Sequence, residues 1–216
     1  MRETQTQAVV REGYARVAKE QTSCCGPTGR GTTTEFDTAK RIGYSATDLV
    51  GPAAAGNLGL GCGNPTAIAN LKPGEVVIDL GSGAGFDALL AAEKLGSEGR
   101  FIGVDLTPEM LARARTNAVN AGYAQTVEFR EGLIEALPVA SGSADVIISN
   151  CVINLSPHKM TAFREAFRVL KPGGRLVISD ILLTEPLPAE VAQSVGALVG
   201  CVAGAETEEA YVGHIR

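Results

Sequence analysis

The sequence predicts an α/β fold in which a mostly parallel sheet carries helices on both faces. Three observations predict it. Short apolar runs alternate with amphipathic stretches between residues 75 and 179, the connections between them are brief, and a glycine-rich turn, Gly81-Ser-Gly83-Ala-Gly85, joins the first run to the first amphipathic stretch. Parallel neighbours are joined by right-handed crossovers that need a helix between them, so this rhythm implies a parallel sheet.

An N-terminal extension comes first. Val9, Val10, Tyr14 and Val17 recur at near-helical spacing within residues 4–20, and a stretch rich in Cys, Gly and Thr, expected as loop, runs on to Thr34. Ser45 to Asp48 suits the cap of a short helix. The glycine-rich run 56–65 ends in Asn64-Pro65, which suits another helix with Asn64 as its cap and Pro65 in its first turn. Five strands are expected, at residues 76–80, 100–104, 126–130, 145–149 and 175–179. Helices are expected at residues 86–95, from Thr107-Pro108 to about Asn120, and from Ser156-Pro157 onward. In the last of these Met160, Phe163, Phe167 and Leu170 form one apolar stripe, read as core, and Lys171-Pro-Gly-Gly174 turns the chain into the fifth strand. The chain thus divides into a cysteine-bearing extension and cap (1–70), a ligand-binding core (71–185) and a C-terminal region (186–216).

Composition narrows the function. At 216 residues, 45% hydrophobic and 20% charged, with a mean hydropathy of +0.12, the chain is expected to be one main soluble domain with small attachments. Its 24 acidic and 19 basic residues give a net charge of -5 and a pI near 5.2, which argues against binding nucleic acid. Residues 1–10 have neither a basic start nor an apolar run. The longest uncharged apolar stretch, 195–205, is far shorter than a span of ~20 residues, so no membrane association and a cytoplasmic location are expected. Five cysteines, at 24, 25, 62, 151 and 201, are an odd number with no CxxC pair, and His158 and His214 are the only histidines. Reduced thiols are the expected state, and a structural zinc is not expected. Isolated cysteines in such a chain are most often small buried hydrophobes.

The chemistry is expected at the glycine-rich turn, where backbone without side chains lets a bulky ligand approach. A dinucleotide fingerprint needs G-x-G-x-x-G, but residue 86 is Phe and the spacing is G-x-G-x-G, with Asp79 two positions before the first glycine. This loop, with Asp105 ending the second strand, resembles the class I S-adenosylmethionine-dependent methyltransferases, whose fold is Rossmann-like. The resemblance implies that Asp79, Gly81, Gly83 and Gly85 admit the methionine part of S-adenosyl-L-methionine and that Asp105 accepts hydrogen bonds from its ribose. It also places Leu106, Met110, Leu133 and Ile134 on the adenine side. Two strands usually end this fold and neither is visible, so the C-terminal strands are expected to be missing from a truncated chain.

The fourth strand ends beside the first in this topology, next to the transferable methyl, and reads Ser149-Asn150-Cys151-Val-Ile-Asn154. Together with Gly59-Leu-Gly-Cys62-Gly-Asn-Pro65 and Gly200-Cys201-Val-Ala-Gly-Ala205, it resembles the arsenite methyltransferases along nearly the whole chain. The resemblance implies that Cys151 and Cys201 bind trivalent arsenic. It gives Cys62 a third ligand's place in a thiol relay with an N-terminal cysteine, either Cys24 or Cys25. It implies no metal cofactor, a thiol reductant such as thioredoxin or glutathione as partner, and a monomer. Soft trivalent arsenic prefers thiolates over imidazole or carboxylate. Asn150 either supports the cofactor, positions the neighbouring cysteine or bonds to backbone at the strand end.

Two other readings compete: a class I methyltransferase for another small molecule with inert cysteines, and a thiol protein that sequesters arsenic without turnover. His158 is read as a solvated residue of a helix start rather than a ligand. Glu35 and Asp37 are either loop acids or part of a closure over substrate, and residues 206–209 are a solvated helix start.

Overall fold

The computed structural model describes residues 3–20 and 34–216. Helix α1 (Gln5–Glu20) comes first and α2 (Glu35–Arg41) second, so Glu35 and Asp37 lie in a helical first turn rather than in a loop. Thr34 caps α2: its hydroxyl accepts from the Asp37 backbone N–H, and Asp37 accepts from the Thr34 N–H in return. Ser45 and Asp48 make the same reciprocal pair, yet no helix follows there. Gly51 and Pro52 intervene, and the chain makes a 3-10 turn at Pro52–Gly56 instead. Asn64 caps α3 (Pro65–Ile68) with Pro65 in the first turn, as the sequence predicts.

The core follows as β1 (Val76–Leu80), α4 (Phe86–Leu95), β2 (Arg100–Asp105), α5 (Pro108–Asn120), β3 (Val127–Glu131), β4 (Ala144–Asn150), α6 (Lys159–Val169) and β5 (Leu170–Ser179). All five strands are parallel, in the order β3-β2-β1-β4-β5. The α/β architecture with helices on both faces therefore agrees with the sequence. Alternate residues of the strands feed two cores. Val77, Phe101, Val146 and Ile148 meet α4 and α5 on one face, while Ile78, Ile102, Ile147 and Val104 meet α6 on the other.

The stripe predicted on α6 is displaced. Phe163 is buried, but Phe167 is 83% exposed and Met160 46%, and Leu170 already belongs to β5. The buried face runs through Lys159, Ala162, Phe163, Ala166 and Val169, where two alanines let the helix approach the sheet closely. Pattern alone favoured the larger apolar residues, whereas close packing selects the small ones. The Lys171-Pro-Gly-Gly174 turn is absorbed into the start of β5 as an irregularity, so that Ala144 pairs with Leu170 and Val146 with Arg175.

Beyond β5, the dipeptide strands β6 (Leu182–Leu183) and β7 (Glu206–Thr207) pair in parallel, with α7 (Ala189–Ala192) and α8 (Val195–Val199) between them and α9 (Glu208–Gly213) after. The sequence signals neither dipeptide strand, because two residues carry no period. Glu206 is accordingly part of a strand, bonded to His214 at 2.8 Å and paired with Lys159 at 3.5 Å, rather than a solvated helix start. His158 is exposed and stands at the N-cap of α6, as expected. Among the described residues, no helix is long and apolar enough to cross a membrane.

Candidate active site

The strand order reverses between β1 and β4, so that the right-handed connections leaving them run to opposite faces of the sheet and open a crevice at their carboxyl ends. A cleft lies there, with about 1040 Å³ of space when its solvent-open part is included. Asp79, Gly81, Gly83, Asp105, Leu106, Ile134, Asn150 and Cys151 line it. Three other predicted residues do not. Gly85 caps α4 with its backbone at φ +87°, and a Cβ there would point at Phe129 and Ala114. Met110 is fully buried among Val17, Ala18 and Ala84. Leu133 bridges to Ala136 beside the lining residues Gly132 and Ile134. Met110 is thus spent on packing under α1, a choice that only the placement of α1 reveals.

Backbone bonds fix the glycine-rich turn. The Gly81 and Ser82 N–H groups donate to the Val104 carbonyl, and the Gly83 N–H donates to Asp105 Oδ2 at 2.9 Å. Asp105 Oδ1 accepts from the Thr107 N–H at 2.8 Å. A Cβ added at Gly83, where φ is +52°, would meet nothing within 4 Å, so the turn faces open space. Burial raises the Asp105 carboxyl above the usual range despite these donors. Burial also raises Asp79, and the charges of Asp87 and Asp105 push it further. No described residue donates a hydrogen bond to Asp79, so the cleft holds a carboxyl in want of a cationic or hydrogen-donating partner. The buried hydroxyl of Ser82, another lining residue, is likewise without a partner among the described residues.

Tyr44 and Asp87 extend this polar wall, and neither was signalled by the sequence. The Tyr44 hydroxyl donates to Asp87 Oδ1 at 2.7 Å, and burial pushes Asp87 up to about 6. Asn150 links this wall to the cysteine loop. Its Nδ2 donates to the Gly63 carbonyl at 2.8 Å and to the Tyr44 hydroxyl at 3.1 Å, and its Oδ1 accepts from the Cys62 and Gly63 N–H groups.

The three predicted ligands Cys62, Cys151 and Cys201 meet at the end of the cleft, all with free thiols. Cys151 lines the cleft; the other two adjoin it. The Cys151 thiol lies within hydrogen-bonding reach of both neighbours, which with burial raise its pKa far above the usual thiol value. Cys201 is shifted down, chiefly by the hydrogen bond from Cys151 and further by Tyr14, against burial. Its own Sγ donates to the Cys151 carbonyl at 2.8 Å. The Ser179 carbonyl, ending β5, accepts from Cys62 Sγ at 3.4 Å and from the Cys151 N–H at 2.7 Å. Cys24 and Cys25 lie outside the described residues.

Helix α1 closes one side. Tyr14 reaches Cys201 Sγ at 3.7 Å, and Gln7 donates to the buried Glu135, which also accepts from Ser156. The helical spacing of Tyr14 was legible; its contact across 187 residues was not.

Residues 71–215 match the family described as a methyltransferase domain. The chain is 49% identical over 94% of its length to an arsenite methyltransferase of Halobacterium salinarum, covering 54% of that protein. It is 46% identical over 62% of its length to an arsenite methyltransferase of Aquipseudomonas alcaligenes, covering 41% of it. The chain therefore spans about half the length of the curated relatives it matches. Among solved structures, an arsenic(III) S-adenosylmethionine methyltransferase from Chlamydomonas reinhardtii superposes with a TM-score of 0.66 and 34% identity, over 83% of this chain and 60% of that one. The [4+2]-cyclase SpnF superposes over 100% of this chain and 72% of its own with a TM-score of 0.68 but 19% identity, a likeness of fold alone.

Proposed function

The chain belongs to the methyltransferase-domain family, and from that premise we propose that it transfers a methyl group from S-adenosyl-L-methionine to trivalent arsenic held by Cys62, Cys151 and Cys201. The observation that carries the reading is the meeting of three thiols, remote in sequence, at the cleft beside β1 and β4. The fold does not carry it, since the same architecture serves a cyclase. The relatives named for arsenite methylation support the choice of substrate.

The cleft suits the cofactor on its own chemistry. Asp79 is a buried carboxyl without a hydrogen-bond donor, set among like charges, and a cationic ligand relieves that burden. Asp105 keeps acceptor capacity for hydroxyl groups, because each oxygen takes one backbone donor. Gly81 and Gly83 leave the backbone open, with Leu106 and Ile134 as the apolar wall. When bound, S-adenosyl-L-methionine supplies a methyl group on a positively charged sulfur, open to in-line displacement by the lone pair of thiol-bound arsenic.

The protein's own part is capture and alignment. Each cysteine thiol exchanges for one hydroxide of arsenous acid: a sulfur–arsenic bond forms, an arsenic–oxygen bond breaks, and the thiol proton leaves with the hydroxide as water. No general base is needed for the transfer, because arsenic bound to three thiolates has no proton to lose. Holding the nucleophile at the cleft supplies the proximity that turns a two-body encounter into a nearly intramolecular step. Cys201 must turn from the Cys151 carbonyl to join the other two. A thiol reductant such as thioredoxin or glutathione, Cys24 or Cys25 as relay, a cytoplasmic site of action and a monomeric state belong to the same proposal.

The test is incubation of the reduced full chain with S-adenosyl-L-methionine and arsenite, followed by chromatographic arsenic speciation. Methylated arsenic is expected, lost in Cys151→Ser and Cys201→Ser while cofactor binding persists. Full activity in either variant would remove the proposed ligands, and recovery of bound but unmodified arsenite alone would favour sequestration.

A further inference from the structure

Cys62 Sγ, Cys151 Sγ and a carboxylate oxygen of Asp180 all lie within 4.8 Å of one another, and Cys201 does not belong to this group. We propose that Cys62, Cys151 and Asp180 form a site for a thiophilic divalent cation, zinc or cadmium, which excludes arsenic by taking two of its three thiols. The inference goes beyond methylation and stands whether or not the chain turns arsenic over.

The donor set discriminates between the two occupants. Two thiolates and one carboxylate suit a borderline or soft divalent ion, which accepts sulfur and oxygen together and leaves a fourth tetrahedral position to solvent. Trivalent arsenic prefers a third thiolate to an oxygen. Zinc–sulfur bonds of about 2.3 Å put two sulfurs of a tetrahedral site roughly 3.7 Å apart, and the group already lies within 4.8 Å. Charge favours the ion as well: on binding, two thiol protons pass to the buffer and the dication meets three negative ligands.

Asp180 is held as metal-ligating carboxylates are held. Its Oδ1 accepts from Asn154 Nδ2 at 2.9 Å and from the Ile181 N–H at 3.1 Å. Its Oδ2 accepts from the Tyr211 hydroxyl at 2.9 Å and the Asn154 N–H at 3.2 Å. These donors fix its orientation, and a cation reaching Oδ2 displaces the Tyr211 hydroxyl, the one donor of the four on a side chain of α9. The thiols are placed independently: Ser179, the residue before Asp180, binds the Cys62 thiol and the Cys151 N–H through its carbonyl. One strand end therefore positions all three ligands.

Cadmium chloride titrated into the reduced full chain tests the proposal, with thiolate-to-cadmium ultraviolet absorption as the readout. One ion per chain is expected, with the intensity of two thiolates. Cys62→Ser and Cys151→Ser lose the absorption, Cys201→Ser leaves it and the affinity unchanged, and Asp180→Asn weakens binding at least about tenfold, the order lost even when an outer-shell partner is removed. Asp180→Cys binds cadmium with the intensity of three thiolates. Three thiolates per ion in the unaltered chain, or loss of binding in Cys201→Ser, would overturn the proposal, and the wild-type intensity decides this even if the Asp180 variants do not fold. Arsenite capture is read separately: it requires Cys201 and survives in Asp180→Asn. A chain that binds cadmium through two thiolates yet never methylates arsenic loses the methylation reading and keeps this one.

Discussion

The thiol of Cys201 donates a hydrogen bond to the carbonyl oxygen of Cys151 at 2.8 Å, and both residues hold left-handed backbone, at φ +62° and +61°. Among the described residues only Asn70 joins them as a non-glycine residue at positive φ. Such backbone costs of order 1–3 kcal/mol per residue and persists only where surrounding contacts enforce it. Here it accompanies the approach of two side chains from segments 50 residues apart, where Cys201 adjoins the end of the cleft. Strain and thiols coincide at these two residues.

That bond separates stability from function at Cys201. Cys201→Ser keeps a donor for the Cys151 carbonyl and is expected to retain nearly the full stability of the chain while losing arsenite capture. Cys201→Ala leaves the buried acceptor unmet and is expected to cost about 1–2 kcal/mol as well. Urea unfolding of both variants beside an arsenite-binding titration checks this, and equal stabilities would refute the role given to the bond.

Asn150 is expected to behave as a positioning residue that serves both halves of the site. Removing its carboxamide strips partners from the Cys62 and Gly63 N–H groups, the Gly63 carbonyl and Tyr44. Asn150→Ala should therefore cost roughly 1–3 kcal/mol and weaken arsenite capture and cofactor binding together. Calorimetric titration of each ligand tests the coupling; a variant impaired for one ligand only would show that Asn150 serves that ligand alone.

Gly61 allows the cysteine loop to wrap this amide. Its φ is +99°, and an added Cβ would stand 2.8 Å from both the nitrogen and the oxygen of the Asn150 carboxamide. Gly61→Ala is expected to destabilise by roughly 1–3 kcal/mol and to weaken arsenite binding. Gly142→Ala, at φ +60° with nothing within 4 Å of the added carbon, is the control that carries backbone strain without the collision. Similar arsenite affinities in the two variants would count against the Gly61 contact.

The buried acids give the chain an unusual response to pH. Asp87 titrates near 6 in the folded chain against 3.8 for an ordinary Asp, and Asp79 and Asp105 move in the same direction. A raised carboxyl binds its proton more tightly folded than unfolded, so its contribution to stability is full below about pH 4 and is lost as pH rises through about 6. Glu75, Asp145 and Glu165, held down by Arg175, Lys171 and Arg168, act oppositely and lose their contribution only as pH falls below the ordinary carboxylate range. Thermal unfolding should show Tm rising as pH falls from 7 toward 5, with a shallower rise in Asp87→Asn. A Tm that falls steadily over that interval would contradict the environment assigned to these acids.

The five core strands, the cap of α3 and the starts of α4 and α5 were legible because each depends on periodicity, glycine or proline within one short segment. The cysteine contexts were legible in the same way, and they pointed to one site. Met160 and Phe167 were misplaced because a helical stripe defines a direction only to within a residue or so, and alanines at 162 and 166 decided which face lies on the sheet. Tyr44, Asp87, Glu135 and Asp180 left no signal at all, since a single polar residue in an ordinary segment reads as surface until its neighbours are known.

The sequence by itself determined an alternating α/β chain, a glycine turn between acids at the ends of two strands, and three thiols set in glycine-bearing loops. Only the tertiary structure decided that Cys151 sits within reach of both other thiols, that Asn150 binds the Cys62 loop to the acidic wall, and that Asp180 stands beside two sulfurs. The physical reason is range: backbone preference and apolar period act over a few residues, whereas a binding site is made of short contacts between atoms that the sheet's crossovers bring together from across the whole chain.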